Sequence, residues 1–193
     1  MTHHNALLGR LLQLLALALC MAFSVAHADE YAEVTQLLRA GKTTEALAKA
    51  DEHLAAKPHD AQMRFLKGVI QRDAGKSAEA LATFTRLTED YPELAEPYNN
   101  LAVLYAAENQ FDKARIALEM AVRLNPDYAT AQENLGDVYA KLADQAYAKA
   151  LQTDKGNATA PTKLTLLRQL FAVGTKAAKP TTKPATPPAS SAP

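Results

Sequence analysis

Few residues of this sequence are of the types that carry out chemistry, and their spacing does not form a reactive group. After position 28 the only histidines are His53 and His59, with no cysteine and no further histidine to complete a metal-binding set. Serine occurs there only at Ser77, Ser190 and Ser191, and neither a G-x-S-x-G sequence nor a phosphate-binding loop is present. The sequence therefore predicts two surface histidines, no metal, no other cofactor, and a protein that is not an enzyme.

The charge of the chain is balanced, with 21 basic and 21 acidic side chains. The stretch from Gly174 onward holds Lys176, Lys179 and Lys183 and no acid, so the body of the chain is mildly acidic. No basic stripe is interleaved with aromatic residues, which is the pattern typical of nucleic-acid binding. We therefore expect no nucleic-acid partner.

The N-terminal 28 residues have the layout of a secretory signal peptide. Arg10 precedes an apolar run that ends at Ala26-His27-Ala28, and the sequence then turns polar. The run is about 15 residues long, shorter than the roughly 20 that span a bilayer as a helix. We expect cleavage after Ala28, a periplasmic or secreted product, and no membrane span in the mature chain. The alternatives are an uncleaved anchor and a lipoprotein attached through Cys20, although Leu19 departs from the small residue that such a site prefers.

The rest of the chain repeats with a period of 34 residues. Prolines recur with this spacing at Pro58, Pro92 and Pro126. Three further series keep the same period: Ala46, Ala80 and Ala114; Gly41, Gly75 and Asn109; Gly68, Ala102 and Gly136. Several independent series in one register indicate a repeated structural unit.

Each series has a role in a pair of helices. Proline ends the second helix, and Gly or Asn suits a left-handed turn between the two helices. The small residues are expected where helices cross closely. Thr43, Asp60 and Ser77 are candidate N-caps or first-turn residues. These patterns predict helices over 30–40, 43–57, 60–74, 77–91, 92–108 and 110–125.

Two stretches carry a family resemblance. One is the octapeptide Tyr-Asn-Asn-Leu-Ala-Val-Leu-Tyr at 98–105, followed by Phe111, Ala114, Ala121 and Pro126, and the other is Gly68, Gly75, Ala80, Phe84 and Pro92. These residues resemble the tetratricopeptide repeat (TPR) family over about 29–157, which suggests an exported bacterial member. The resemblance implies an all-α, right-handed α-solenoid of about three TPR helix pairs, a fused or degenerate fourth repeat, and a C-terminal capping helix.

The fourth repeat departs from the pattern. It begins in register at Leu135, but no turn glycine follows, and the alanine-rich sequence favours one long helix over 129–153 that Gly156 ends. The alternative is a short turn near Asp144. A last helix is predicted from about Pro161 to Gly174, as a cap or, alternatively, a dimerisation face. The repeat domain thus spans 29–173.

Residues 174–193 are rich in Pro, Ala, Thr and Lys, and we predict a disordered tail there. The tail is expected either to be a solubilising end or to act as a spacer or docking strand across the cell envelope.

The resemblance also implies a site, because the first helix of each TPR pair lines a concave groove. The corresponding residues here are Phe65, Val69, Arg72, Asp73, Glu96, Asn99, Asn100, Val103, Ala107, Glu133, Asn134, Asp137 and Lys141. Asn100 and Asn134 match an asparagine that hydrogen-bonds a peptide main chain in some relatives. The alternative is that these asparagines tie adjacent helices together. No Lys/Arg pair stands at the positions where chaperone-binding relatives clamp a carboxylate.

The expected function is therefore a non-catalytic scaffold or adaptor in the cell envelope, which binds a protein or peptide segment in this groove. The first alternative is an accessory subunit of an envelope enzyme or of a secretion or assembly complex, which docks through its outer face or through Leu167 and Phe171 of the last helix. A glycan- or lipid-processing enzyme is a third class, for which the sequence offers no reactive group.

Overall fold

The computed structural model describes the backbone over residues 30–177 and the side chains over residues 30–169. The predicted signal peptide and all of the tail beyond residue 177 lie outside the described residues. Within them every regular element is a helix, which confirms the all-α prediction. The helices are α1 (30–39), α2 (Thr43–Ala56), α3 (Ala61–Asp73), α4 (Ser77–Asp90), α5 (Ala95–Ala107), α6 (Phe111–Leu124), α7 (Ala129–Thr153) and α8 (Ala160–Ala177).

The helices form two compact units, which divide between Lys76 and Ser77. In the first unit the core is built from Val34, Ala46, Ala50, Met63, Leu66 and Ile70, which α1, α2 and α3 contribute at helical spacing. In the second unit α4 packs on α5, α5 on α6, α6 on α7, and α7 on α8. No helix within 30–177 has the length and apolarity needed to cross a bilayer.

The turns between paired helices adopt the predicted left-handed conformation. The φ angles of Gly41, Gly75 and Asn109 are 73°, 75° and 59°. The next position in this series is Ala143, which lies inside α7. A left-handed conformation costs an ordinary L-residue about 1–2 kcal/mol, whereas alanine is the best helix former, so the chain continues as helix where a turn would otherwise stand.

The long fourth-repeat helix is confirmed, since α7 runs unbroken from Ala129 to Thr153. Beyond it the Asp154 carboxylate accepts the Gly156 N–H (2.9 Å), and Asn157 Oδ1 accepts the Ala160 N–H at the start of α8 (2.9 Å). These side-chain acceptors make the sharp turn that sends α8 back along α7.

Two predicted helix ends are wrong. Helix α8 continues to Ala177, three residues past Gly174, because a glycine inside a helix costs only about 0.5–1 kcal/mol relative to alanine. Helix α5 begins at Ala95 rather than Pro92, because residues 92 and 93 form a turn in which the Leu94 N–H donates to the Tyr91 carbonyl (3.2 Å).

The small residues do not all lie at close crossings. Ala102 is buried, as predicted, but Gly136 is exposed, and a Cβ added there would meet no atom within 4 Å. The expectation of a close crossing at Gly136 is therefore wrong. The helix that would cross there in a complete fourth pair is fused onto α7 itself.

The open surroundings of Gly136 lead to a stability prediction. Gly136→Ala is expected to stabilise the protein by about 0.5–1 kcal/mol, because the unfolded chain loses freedom and no atom is displaced. Thermal unfolding followed by circular dichroism should show a melting temperature about 1–4 °C higher. Gly75→Ala is the matched control, and the φ of 75° at that position predicts a lower melting temperature. A decrease for Gly136→Ala would contradict the open site.

Candidate functional site

The second unit brings helices α5 and α7 together on one side of α6. Both pack against α6 and also contact each other. The Asn134 Nδ2 donates a hydrogen bond to Asn99 Oδ1 (2.8 Å), which fixes the register between the two helices. We call the resulting surface the α5–α7 face, and it consists of Glu96, Asn99, Val103 and Ala107 on α5 with Glu133, Asn134, Asp137 and Lys141 on α7.

Most of the α5–α7 face is accessible. Val103 is 38% exposed, and Ala107 is also exposed, so α5 presents an apolar strip one and two turns beyond Asn99. On α7 the exposed side chains at the same spacing are charged: Glu133, Asp137 and Lys141. Glu96 is half-buried. An apolar strip beside a mainly acidic row suits an extended segment that carries small apolar and basic side chains.

The asparagines of this face already have partners within the protein. Asn100 is 1% exposed and donates to the Glu96 carbonyl of its own helix (2.9 Å), while Asn99 is 6% exposed. Asn134 is half-buried and ties α7 to α5. The hydrogen bond of Asn134 agrees with the alternative interpretation, in which these asparagines tie adjacent helices together. Because Asn100 is buried, its side-chain amide is not accessible to a ligand. A hydrogen bond to the main chain of a bound peptide therefore stays a prediction for Asn134 alone.

The predicted site residues on α3 belong to the first unit. Phe65 and Val69 are 0% and 7% exposed, so their assignment to an accessible surface is wrong: this side of α3 packs into the protein interior. Arg72 and Asp73 lie at the end of the helix, where Arg72 Nη2 and Asp73 Oδ1 form an ion pair at 2.8 Å. Of the four, only this pair remains available to a partner.

The first unit also contains a polar cluster that the sequence did not predict. His53 is buried, and the prediction that it is a surface histidine is wrong. Its Nε2 lies 2.8 Å from Asp60 Oδ2 and its Nδ1 lies 2.5 Å from Glu30 Oε2. Tyr31 donates a hydrogen bond to the same Asp60 oxygen, and the Met63 N–H donates to Asp60 Oδ1 (2.9 Å). The cluster thus joins α1, α2 and the start of α3. His59 is exposed, as predicted.

The ionisation of the cluster follows from these contacts. Burial alone raises the pKa of Asp60, but hydrogen bonds from Tyr31, from the Met63 N–H and from His53 outweigh it, so the pKa lies below its ordinary value. Burial raises the pKa of Tyr31 above its usual range, and the hydrogen bond to Asp60 raises it further. Asp60 is therefore a charged acceptor and Tyr31 a protonated donor at neutral pH, which stabilises the cluster.

A shallow cleft of about 260 Å³ lies beside this cluster. Its floor is apolar and its rim is charged, and it is lined by Glu30, Glu33, Val34, Lys49, Glu52, His53, Ala56, Lys57 and Met63. Lys49 pairs with Glu33 (3.8 Å) and with Glu52 (3.4 Å) across the rim. Among the residues described, no group of His, Cys, Asp and Glu side chains is arranged to hold a metal ion. The cluster connects α1, α2 and α3.

Helix α8 packs against α7 as a cap. Leu164 is buried against the unit and Leu167 is half-buried, whereas the side chain of Phe171 lies outside the described residues. Arg168 Nε pairs with Asp144 Oδ1 (3.2 Å), and Lys163 Nζ lies 5.3 Å from the centre of the Tyr147 ring. These contacts hold α8 antiparallel to α7.

Two protein-family models match segments of this chain, and both describe the same kind of repeat. Residues 31–95 match a family model described as "Tetratricopeptide repeat", and residues 104–142 match one described as "TPR repeat". Together the two matches include every helix from α1 to α6 in whole or in part, and the first half of α7.

Curated relatives include a chloroplast protein of Arabidopsis thaliana, "Tetratricopeptide repeat domain-containing protein PYG7", which is 34% identical over 66% of this chain and 40% of its own length. "Photosystem I assembly protein Ycf3" of Prochlorococcus marinus (strain MIT 9211) is 26% identical over 52% of this chain and 60% of its own. The chain thus spans about half the length of these relatives.

Solved structures with a similar fold include a thermophilic TPR protein of Thermus thermophilus, with a TM-score of 0.56 and 24% identity over 74% of this chain and 81% of that one. The first TPR domain of human RPAP3 has a TM-score of 0.57 and 16% identity, over 61% of this chain and 92% of that one. At these identities the likeness concerns the fold alone.

Proposed function

Because the chain belongs to the tetratricopeptide repeat family, we propose that it is a non-catalytic scaffold that binds an extended segment of another protein on the α5–α7 face. The observation that carries this proposal is the exposed apolar strip of Val103 and Ala107, set beside the charged row of α7 and held in register by the Asn134–Asn99 hydrogen bond. A rigid pair of helices can bind such a segment without reorganisation, which lowers the cost of association.

We place this scaffold in the cell envelope. The support is the N-terminal sequence, in which an apolar run ends at Ala26-His27-Ala28. Fractionation of cells that produce the full chain, followed by N-terminal sequencing, should find a product in the periplasm or medium that begins at Asp29. A cytoplasmic product that keeps Met1 would contradict the location and leave the binding surface unaffected.

A role in assembly is the natural use of such a scaffold, and the curated relatives named for photosystem I assembly support it. The alternative is an accessory subunit that docks through its outer face or its last helix. It is favoured by the exposed apolar side chains Ile116 (59%) and Leu124 (36%) on α6 and Leu166 (60%) on α8. The two modes use different surfaces and can therefore be separated by one experiment.

That experiment places a photo-crosslinking amino acid at single exposed positions of the full chain in living cells. We expect Val103 to capture a defined partner, whereas Ile116 on α6 and Leu166 on α8 report on the outer face and on the last helix. Capture at Ile116 or Leu166 and not at Val103 would favour the accessory subunit that docks through its outer face or its last helix. Equal background at all three positions would contradict both modes.

A further inference from the structure

The course of α8 determines where the chain beyond Ala177 begins. Lys163 lies over Tyr147 and Arg168 pairs with Asp144, so α8 runs back along α7 as its residue numbers increase. Helix α8 extends nine residues beyond Arg168, which is about 13 Å at the rise of an α-helix. The same distance back along α7 from Asp144 reaches the level of Leu135, between Glu133 and Asp137 of the α5–α7 face.

The segment that follows α8 is positively charged, whereas the α5–α7 face is mainly negatively charged. Residues 178–193 contain Lys179 and Lys183 and no acid. The α5–α7 face contains the carboxylates of Glu96, Glu133 and Asp137 and, at its far end, the ammonium group of Lys141. These two lysines follow directly on α8, which ends at the level of the exposed carboxylates of Glu133 and Asp137 along α7.

The composition of residues 178–193 also fits an extended ligand. The segment contains five prolines, and its other residues are small or are the two lysines. Proline-rich chain adopts the polyproline II conformation at about 3.1 Å per residue, so 16 residues reach about 50 Å, longer than the face. Because such a chain is already extended, ordering it on a surface costs little, and its covalent attachment provides an effective concentration on the order of millimolar.

We propose that residues 178–193 fold back onto the α5–α7 face, with Lys179 and Lys183 beside Glu133 and Asp137 and with alanine and threonine side chains against Val103 and Ala107. The docked tail then occupies the α5–α7 face, and a partner segment must displace it in order to bind there. The competition with a partner rests on the proposed function, whereas the docking of the tail does not.

The docking can be tested on the chain from Asp29 to Pro193, which has no cysteine because Cys20 is the only one. A nitroxide label is attached to Thr182→Cys, and its effect on backbone amide signals is measured by NMR. We expect signal loss for residues 99–107 and 133–141 and unchanged signals in α4 and on the exposed side of α6. Unchanged signals on the α5–α7 face, or equal loss on all helices, would overturn the proposal.

The contribution of charge is tested by two matched double variants of the labelled chain. Glu133→Gln with Asp137→Asn should restore most of the lost intensity, because both carboxylates that attract the lysines are gone. Glu89→Gln with Asp112→Asn removes two carboxylates from α4 and α6 of the same unit and should change nothing. Loss of the effect in both variants, or in neither, would overturn the assigned pairing. The amide spectrum reports directly that each variant is folded.

Competition is tested by crosslinking from Val103 in cells, with the full chain and with a chain that ends at Ala177. Removal of the tail should increase partner capture at least threefold. Capture that is equal in the two chains would overturn the competition and leave the proposed function standing. Label effects on the α5–α7 face without any capture from Val103 would contradict the proposed function and leave the docked tail standing.

Discussion

Replacement of Asp60 by alanine is expected to lower the free energy of unfolding of the first unit by about 2–4 kcal/mol. The carboxylate caps the start of α3 by accepting the Met63 N–H, and it accepts hydrogen bonds from Tyr31 and His53. Loss of an N-cap alone costs about 1 kcal/mol. The remainder arises because the buried His53 ring and the half-buried Tyr31 hydroxyl lose their hydrogen-bond acceptor.

The measurement is urea unfolding of the chain from Asp29 to Pro193, with amide exchange over α2 and α3 to report on this unit alone. Asp60→Asn is the matched control, because asparagine caps a helix about as well as aspartate but has no charge. We expect it to lose clearly less stability than the alanine variant. Similar losses for the two variants would show that charge, rather than capping and hydrogen bonding, dominates.

The pH dependence of the stability shows whether the charge of Asp60 stabilises the folded chain. Because the pKa of Asp60 is lower in the folded chain than its ordinary value of 3.8, the stabilisation is complete above that value and is lost as the pH falls through the lower folded pKa. The wild-type chain should therefore lose more stability on acidification below pH 4 than Asp60→Asn does. Parallel acid curves for the two proteins would contradict the ionised cluster.

The second large effect is expected in the core of the other unit. Leu118 on α6 is 1% exposed, and Leu118→Ala should cost about 2–5 kcal/mol, the usual range for removing a fully buried leucine side chain. The loss combines the apolar surface no longer buried with the cavity left behind. Because α6 packs on both α5 and α7, this cavity weakens the support beneath the α5–α7 face.

Ile116→Ala is the matched control for this prediction. It lies two residues away on the same helix and is 59% exposed, so it buries little apolar surface, and alanine is the better helix former. Its free energy of unfolding should stay within about 0.5 kcal/mol of wild type. Thermal and urea unfolding of both variants provide the comparison, and equal losses at the two positions would contradict the packing described for α6.

The substitutions Asp60→Ala and Leu118→Ala should affect partner binding differently. Asp60 lies in the first unit, so Asp60→Ala should leave crosslinking from Val103 unchanged at temperatures where the second unit stays folded. Leu118→Ala weakens the second unit itself, and partner capture from Val103 should fall with its folded fraction. A loss of capture in Asp60→Ala, with the second unit shown to be folded, would indicate that the first unit takes part in binding.

The conformational preferences of single residues determined the 34-residue repeat and its interruption in the fourth repeat. The left-handed turns at Gly41, Gly75 and Asn109 and the unbroken helix through Ala143 both follow from backbone preferences of single residues, which act whatever surrounds them. Asp60 as a helix cap follows for the same reason. Such short-range preferences can be identified from spacing alone, and therefore the number of helices within residues 30–177 and most of their ends were predicted correctly.

Only the tertiary structure decided which of the predicted site residues a partner can reach. Phe65, Val69 and Asn100 share the sequence positions of groove residues but are buried, whereas Val103 and Asp137 are exposed. The same holds for the polar cluster, in which His53 meets Glu30, a residue 23 positions earlier. Burial and long-range hydrogen bonds depend on how distant helices pack against each other, and the period of 34 residues does not specify that packing for any single side chain.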